Sequence, residues 1–258
     1  MTGGRERVAV VLAAGKGTRM ASDLPKVLHP AAGRPLLAWV LQAARASGCG
    51  RILVVVGHGA EEVRAAFSGP ENADLTWVLQ AEQRGTGHAL AQAEPWLGES
   101  EATVLVLSGD VPLVTRETLG ELARLAETPG AWGAMAVAEL AEPGSLGRVV
   151  EGPPGQLRKI VEAKDASPLE RAIRLVNAGL YALKAPAIFG YLRRLTPANA
   201  QGELYLTDAP TLAAADGHII RLLALADPEE SLGVNTRDEL AQVDRRLLAR
   251  LFAGRRPA

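Results

Sequence analysis

Along the chain, short runs of β-branched residues and leucine alternate with stretches in which apolar side chains recur every three or four positions. The runs at 8–13, 52–56, 75–79, 104–107, 134–139, 157–161, 176–183 and 219–225 predict strands. Between them, the helical period predicts helices over 36–47, 61–67, 86–96, 115–127, 185–195 and 206–216, with a closing helix over 237–252. Near-continuous apolar strands separated by amphipathic helices imply an α/β fold, a Rossmann-like, mostly parallel sheet with helices on both faces. Past about residue 141 the alternation is broken by Glu142-Pro143-Gly144 and by Gly152-Pro153-Pro154-Gly155, both rich in turn formers. The expected organisation is one domain over 1–258. It comprises a larger part over about 1–140, a smaller substrate-side lobe over about 141–236 and a closing helical segment over 237–258.

Composition narrows the class. With 258 residues, 48% of them apolar, the chain can build a large core. Its net charge of -1 leaves no basic surplus, which argues against a nucleic-acid or anionic-membrane partner and requires any anion to be met by local charges. The one cysteine, Cys49, excludes an intrachain disulfide and reads as a small core residue, and no zinc-type spacing of Cys and His occurs. The first apolar run, 8–14, is too short for a membrane span or a signal-peptide core, so a cytoplasmic protein is expected.

In open α/β sheets ligands sit at the carboxyl ends of strands, so the residues following each strand are the place to look for chemistry. After the first predicted strand comes Ala14-Gly15-Lys16-Gly17-Thr18-Arg19, whose glycines let backbone N–H groups approach an anion. It is neither a P-loop nor a dinucleotide fingerprint, since Met20 stands where the third glycine belongs. Taken alone, a simple tight turn explains it equally well. Arg19 adds a planar fork for phosphate oxygens, and Lys26 adds a point charge behind Pro25, which keeps its segment from being helical. The buried run 104–107 delivers Ser108-Gly109-Asp110 to the same edge, where Asp110 is either a Mg²⁺ ligand beside phosphates or a turn cap.

Several motifs together carry a resemblance. Leu12-Ala13-Ala14-Gly15-x-Gly17-Thr18-Arg19-Met20, Leu24-Pro25-Lys26 and Gly109-Asp110-Val111-Pro112-Leu113 resemble the sugar-phosphate nucleotidyltransferases in order and spacing. The runs Gln80-Ala81-Glu82-Gln83-x-Gly85-Thr86-Gly87-His88-Ala89, Gly147-Arg148, Ile160-Val161-Glu162-x-Lys164-Asp165 and Asn177-x-Gly179 add to it. With Gln201-Gly202-Glu203-x-Tyr205-x-Thr207-Asp208 and Gly233-Val234-Asn235, they are similar to the N-terminal uridylyltransferase domains of the bacterial bifunctional GlmU family.

That resemblance implies transfer of uridylyl from UTP to N-acetylglucosamine 1-phosphate with Mg²⁺ as cofactor, the substrates being the two small molecules. It implies that Leu12, Ala13, Ala14, Gly15, Gly17, Gln80, Gly85 and Thr86 hold the nucleotide, with Gln80 facing the base, and that Arg19 and Lys26 are catalytic and hold the triphosphate. Gly147, Glu162, Asn177 and Tyr205 would hold the sugar, and Asp110 and Asn235 the metal. Each position has a plainer alternative: Gln80 and Asn177 as turn or strand-edge amides, Glu162 as an ion-pair partner of Lys159 or Lys164. No catalytic triad is expected. His58 and His88 are read as structural or solvent-facing, and His29 and His218 carry no signal.

Three positions depart from the pattern: Ser108 and Leu146 stand where aromatic residues are expected, and Thr236 where a second Asn often follows Asn235. The lost aromatics touch sugar selectivity more than chemistry, which keeps a different sugar 1-phosphate, such as glucose 1-phosphate, as a rival substrate. A catalytically silent nucleotide-binding subunit is the rival from another class. No hexapeptide repeat follows the last helix, so the family's acetyltransferase half is not expected, and a weak homo-oligomer is left open.

Overall fold

A computed structural model describes residues 5–20 and 22–253 of the protein. Residues 1–4 and 254–258, the ends of the expected single domain, lie outside the described residues. In chain order the strands are β1 (Glu6–Ala13), β2 (Pro30–Ala31), β3 (Arg34–Pro35), β4 (Arg51–Val56), β5 (Leu75–Leu79), β6 (Ala102–Ser108), β7 (Ala131–Glu139), β8 (Arg148–Glu151), β9 (Leu157–Val161), β10 (Leu175–Lys184) and β11 (Ile219–Ala224). The helices are α1 (Leu36–Ala46), α2 (Ala60–Ala66), α3 (Thr86–Ala91), α4 (Glu94–Leu97), α5 (Arg116–Ala126), α6 (Pro168–Arg171), α7 (Ala187–Leu192), α8 (Asp208–Ala215) and α9 (Arg237–Ala253).

The expected strands and the Rossmann-like layering are present. The main sheet has the order β11-β7-β10-β6-β1-β4-β5, with β1 at its heart pairing in parallel with β4 and β6. β10 is the exception to parallel order, antiparallel to β6, β7 and β8. Hydrophobic alternation is silent on strand direction, so this is visible only in three dimensions. A β8–β9 hairpin hangs from β10 through the pair Val176 and Arg148, forming the side lobe.

Three local differences from the predicted elements have plain causes. β8 is four residues long between turn-rich segments, too short for a period to register. The predicted helix 86–96 is two helices, because Pro95 lacks the N–H that would bond the carbonyl of Ala91; it starts a new turn instead, at the first positions of α4. α6 is a single turn built on a capping box, with Ser167 and Glu170 each accepting from the other's backbone N–H.

β1 is buried on both faces and its period of two divides the core. Val8 and Val10 pack with Leu53, Val55, Leu90 and Phe189 on one side, while Ala9 and Val11 pack with Leu41, Ile52, Leu119 and Leu122 on the other. Each Val or Leu fully buried in this way contributes about 1.5–3 kcal/mol. Cys49 is half-buried against the second of these clusters, and burial pushes its thiol up from the ordinary range. A third, smaller cluster joins Met20, Ala31, Leu36, Leu113, Val234, Val243 and Leu247, fastening α9 across the ends of the central strands. No helix among the described residues is long and apolar enough to cross a membrane.

The segment leading to that cluster is anchored by a buried carboxylate. Glu230 is 4% exposed and accepts from Thr115 N at 2.9 Å, from Thr115 Oγ1 at 3.0 Å and from Thr118 Oγ1 at 3.0 Å. Its charge therefore faces the N-terminus of α5, where orphan N–H groups and the helix dipole favour an anion. Glu230→Ala should lower the unfolding free energy by about 2–3 kcal/mol, since charge-assisted bonds are lost and buried donors are left unpaired. Urea melts that show a lowered midpoint with an unchanged slope would confirm this; an unchanged midpoint would remove Glu230 from the anchoring role.

Candidate functional site

The register of the three central strands sets the geometry. Leu12 is level with Val55 of β4 and Ser108 of β6, so the loops that follow β1 and β6 leave the sheet side by side. Gly109 N donates to Leu12 O at 2.9 Å, stitching the two strand ends together. The loop after β1 turns back through Gly17, with φ +61, and a Cβ there would lie 2.8 Å from Cβ of Lys26. Glycine at 17 is what lets the anion-cradle loop lie directly against the lysine.

Lys26 is where the site converges. Its ammonium donates to the Asp110 carboxylate and, at 3.1 Å, to Asn235 Oδ1, which also accepts from Arg19 Nη2 at 3.0 Å. Lys26 and Asp110 side chains are only 14% and 16% exposed, so the pair is partly desolvated and more strongly coupled than a surface ion pair. Asn235 is placed by its surroundings. Val234 N donates to Asp110 O at 2.9 Å, and the Glu239 carboxylate accepts from Asn235 N and Thr236 N. Thr236 Oγ1 accepts in turn from Glu239 N, so Thr236 and Glu239 form a capping box that opens α9. That is the role of the residue where a second Asn was expected.

A carboxylate and an amide carbonyl oxygen already share one cation here, a hard-oxygen pair of the kind Mg²⁺ takes when phosphates and water complete its shell. Among the described residues no group of three or more His, Cys, Asp or Glu side chains converges, so two protein oxygens is what this corner offers. Asp110 and Asn235 have the donor chemistry for the Mg²⁺ that the resemblance implies.

A cleft of about 570 Å³ opens on these groups. Leu12, Ala13, Ala14, Gly15, Gly17 and Lys26 line it together with Gln80, Gly85, Thr86 and Asp110. Gln80 is buried, and its Nε2 bonds Gly85 O at 3.1 Å and faces His88 Nδ1 at 3.0 Å. Gly85, with φ +108, packs so closely on Leu204 that a Cβ would lie 2.6 Å from the Leu204 carbonyl oxygen. The Thr86 hydroxyl accepts from Leu206 N at 3.0 Å, so this predicted nucleotide contact also ties its loop to the segment before α8.

The residues expected around the sugar form a second group beside the cleft. β10 bulges between Asn177 and Tyr181, where Gly179 takes φ +72 and faces Ser108 Oγ. Asn177 Nδ2 donates to the Tyr181 hydroxyl at 2.7 Å and its Oδ1 accepts from Gly179 N, while its own N–H donates to Gly147 O. Glu162 accepts from Thr207 Oγ1 at 2.8 Å, and a Cβ on Gly147 would lie 3.4 Å from Glu162 Oε1. The ion-pair alternative does not describe Glu162: Lys159 pairs with Glu170 and Lys164 donates to Gln201 Oε1. Burial raises the Glu162 carboxyl above the usual range, opposed by the Thr207 bond and reinforced by Asp208 and Asp165. Tyr205 is buried, with no hydrogen-bond partner for its hydroxyl among the described residues.

The structure thus brings the expected nucleotide residues, Lys26 and Asp110 to one cleft, with Asn235 hydrogen-bonded to Lys26 and Arg19 to Asn235 behind its lining, while Gly147, Glu162, Asn177 and Tyr205 stand outside it. Several lining residues have no role assigned from the chain alone: Lys16, Val27, Gln83, Ala89 and Glu203. Gln83 Nε2 donates to Gln80 O at 3.0 Å, so it holds the backbone of the buried amide. Arg148, also unassigned, is 5% exposed and turns its guanidinium onto the carbonyls of Gly144 and Leu146, fixing the loop that presents Gly147. A capping or clamping role of this kind depends on how the backbone folds around the side chain and leaves no local pattern.

A mostly parallel sheet carries a glycine cradle after its first strand, with three cations and an acid–amide pair at the same edge, the layout of a nucleotidyltransferase. Residues 9–201 match the MobA-like NTP transferase domain, and the chain belongs to that family. Among curated proteins it is 46% identical over 243 residues to the bifunctional protein GlmU of Pelobacter propionicus, covering 94% of this chain and 52% of that one. GlmU of Pelotomaculum thermopropionicum is 45% identical over 95% of this chain and 52% of its own, and that of Bordetella petrii 48% over 92% and 51%. The chain therefore spans about half the length of these relatives. Two solved structures of UDP-glucose pyrophosphorylase, one apo and one complexed with UDP-glucose, share the fold with TM-scores of 0.77 and 0.75. They are 19% and 20% identical, and each comparison covers 95% of this chain and 99% of the other.

The raised Glu162 carboxyl makes a stability prediction. A carboxyl whose folded pKa lies above its unfolded value binds more protons in the folded state between the two, so stability falls as pH rises through that window. Asp208 is raised in the same direction, chiefly by burial. Glu162→Gln should therefore be no more stable than the parent below the ordinary carboxyl range and gain on it as pH rises from about 4.5 toward neutrality. Urea midpoints taken across that range check it, and a difference between the two proteins that does not change with pH would contradict it.

Proposed function

We propose that the protein transfers uridylyl from UTP to N-acetylglucosamine 1-phosphate in the presence of Mg²⁺, releasing pyrophosphate and forming UDP-N-acetylglucosamine. What carries the reading is the convergence of Arg19, Lys26, Asp110 and Asn235 on one another, with Lys26 and Asp110 lining the cleft. The resemblance to GlmU supplies the nucleotide and the sugar. A cytoplasmic location and small-molecule substrates fit a chain whose net charge is -1.

The chemistry follows from charge. UTP carries about four negative charges and the sugar phosphate nearly two, because a phosphate monoester's second pKa is about 6. A pair of unit charges about 4 Å apart is worth about 4 kcal/mol at an effective dielectric near 20, so several such pairs prevent close approach unless cations intervene. Lys16 and Arg19 are exposed at the cradle and Lys26 lies beneath it, while the backbone N–H groups around Gly15 and Gly17 add fixed dipoles. Bound to Asp110 and Asn235, Mg²⁺ would neutralise phosphate oxygens and help hold the triphosphate for displacement.

The attacking sugar-phosphate oxygen is already ionised at neutral pH, so it needs no general base. It forms a bond to the α-phosphorus as the bond from that phosphorus to the bridging oxygen breaks, and the electron pair leaves with pyrophosphate. Leu12, Ala13 and Ala14 would position the nucleoside end with Gln80, Gly85 and Thr86. Gly147, Glu162, Asn177 and Tyr205 would receive the sugar. The lobe over about 141–236 is accordingly the sugar-binding part and the region over about 1–140 the nucleotide-binding part. Ser108 beside Gly179 leaves space at the boundary between them, which makes the sugar the variable to test.

Asp110→Ala should reduce Mg²⁺-dependent pyrophosphate release by about 100-fold or more while the protein stays folded, since it removes a group that holds charge at the reacting centre. Arg19→Ala and Lys26→Ala should likewise lower turnover far more than melting temperature. Full turnover by a folded Asp110→Ala protein would refute the metal assignment, and UTP binding without turnover in Mg²⁺ would favour a silent nucleotide-binding role. Pyrophosphate release with N-acetylglucosamine 1-phosphate against glucose 1-phosphate decides the sugar.

A further inference from the structure

The buried amide of Gln80 has two orientations of equal shape and opposite chemistry, and its surroundings choose between them. Its backbone is fixed, with N donating to Val56 O at 2.8 Å and O accepting from Gln83 Nε2. Of the side chain, the atom 3.1 Å from Gly85 O must be the nitrogen, because a backbone carbonyl oxygen only accepts. The same nitrogen stands 3.0 Å from His88 Nδ1, so its second hydrogen is satisfied only if Nδ1 carries a lone pair. Gln92 Nε2 lies 3.2 Å from the other ring nitrogen and donates to His88 O, yet Gln92 is half-exposed and free to turn to water, whereas Gln80 is 3% exposed. The buried amide therefore decides the tautomer, with the His88 proton on Nε2. With both Gln80 hydrogens used, Oε1 is what the residue has left to show the cleft it lines.

We propose that His88 is a positioning residue for base selection, holding the Gln80 amide so that an acceptor faces the bound base. An acceptor there suits a base whose ring presents an N–H, as uracil, thymine and guanine do, and opposes the bare ring nitrogen of cytosine or adenine. The reversed amide would show a donor and favour the second set. In this way the half-buried His88, which does not line the cleft, acts through Gln80. The inference rests on the uridylyl reading for the choice of UTP, but the selection rule itself concerns the ring N–H.

The test is the ratio of kcat/KM for UTP to that for CTP, read from pyrophosphate release with N-acetylglucosamine 1-phosphate and Mg²⁺. In His88→Leu the ratio should fall by about tenfold or more, mainly through a higher KM for UTP, because the amide is no longer held in one orientation. His88→Asn, whose Oδ1 stands near the former Nδ1, should restore most of it. A folded His88→Leu protein with the parent's ratio would overturn the proposal, as would an Asn variant no more selective than Leu. Should His88→Leu fail to fold, His88→Asn against His88→Gln decides. The longer Gln carries its amide past the Nδ1 position, so equal ratios in these two also overturn it. In the parent, a preference for TTP or GTP would refute uridine while leaving the role of His88 standing. A preference for CTP or ATP would refute both.

Discussion

The ammonium of Lys26 is the point at which three distant segments of chain meet, and the site exists only while they stay together. Arg19, Asp110 and Asn235 reach it, or one another, from the loops after β1 and β6 and from the turn before α9. Polar contacts alone would hold such a group poorly, since ion pairs open to solvent are worth little. Each segment has a buried apolar neighbour in a common cluster: Met20 beside Arg19, Leu113 three residues beyond Asp110, and Val234 beside Asn235. α9 closes that cluster with Val243 and Leu247, and Arg250 reaches back to donate to Leu113 O. The hydrophobic effect thus does the assembling, and the charges are presented as a result.

The sheet supplies the second constraint. Placing β1 between β4 and β6 aligns their carboxyl ends, which is why the loop carrying Gly15 and Gly17 shares a cleft with Asp110 although the two are far apart along the chain. The antiparallel β10 then brings Gly179 up beside Ser108, while Asn177 N donates to Gly147 O and Val176 pairs with Arg148, joining the strand to the lobe built by β8 and β9. The second group of residues lies next to the first because one strand runs against the rest.

Much of this is legible in the chain. Strand positions follow from apolar runs, and the cleft residues from glycine and charge placed after them, since both signals are local. Strand direction and the four-residue β8 are not, because period and composition do not encode the partner, whereas the break at Pro95 has a local cause that the helical period over 86–96 masks. Reading His88 as structural or solvent-facing agrees with its half-buried place but misses its contact, which depends on the loop at Gly85 folding back over Gln80. Arg148, Glu230 and Thr236 are equally mute: each acts on a backbone group whose position is set by the whole fold. Glu162, by contrast, stands out in the motif, and three dimensions remove its plain alternative by giving Lys159 to Glu170 and Lys164 to Gln201.

Gly85 and Gly87 face the segment 204–205 with no room for a side chain at either, and Gly87 N donates to Leu204 O at 2.8 Å. Two stretches far apart in the chain therefore share one surface, down to the absence of a methyl group. In the history of such a protein neither stretch can drift independently. A side chain gained at 85 must be answered by a retreat of Leu204, and one at 87 by a shift of Leu195 as well; a retreat of 204–205 would carry Glu203 away from the cleft and Tyr205 out of its buried seat. The turn that carries Gly85 and the segment that carries Tyr205 are, for natural selection, a single inherited unit.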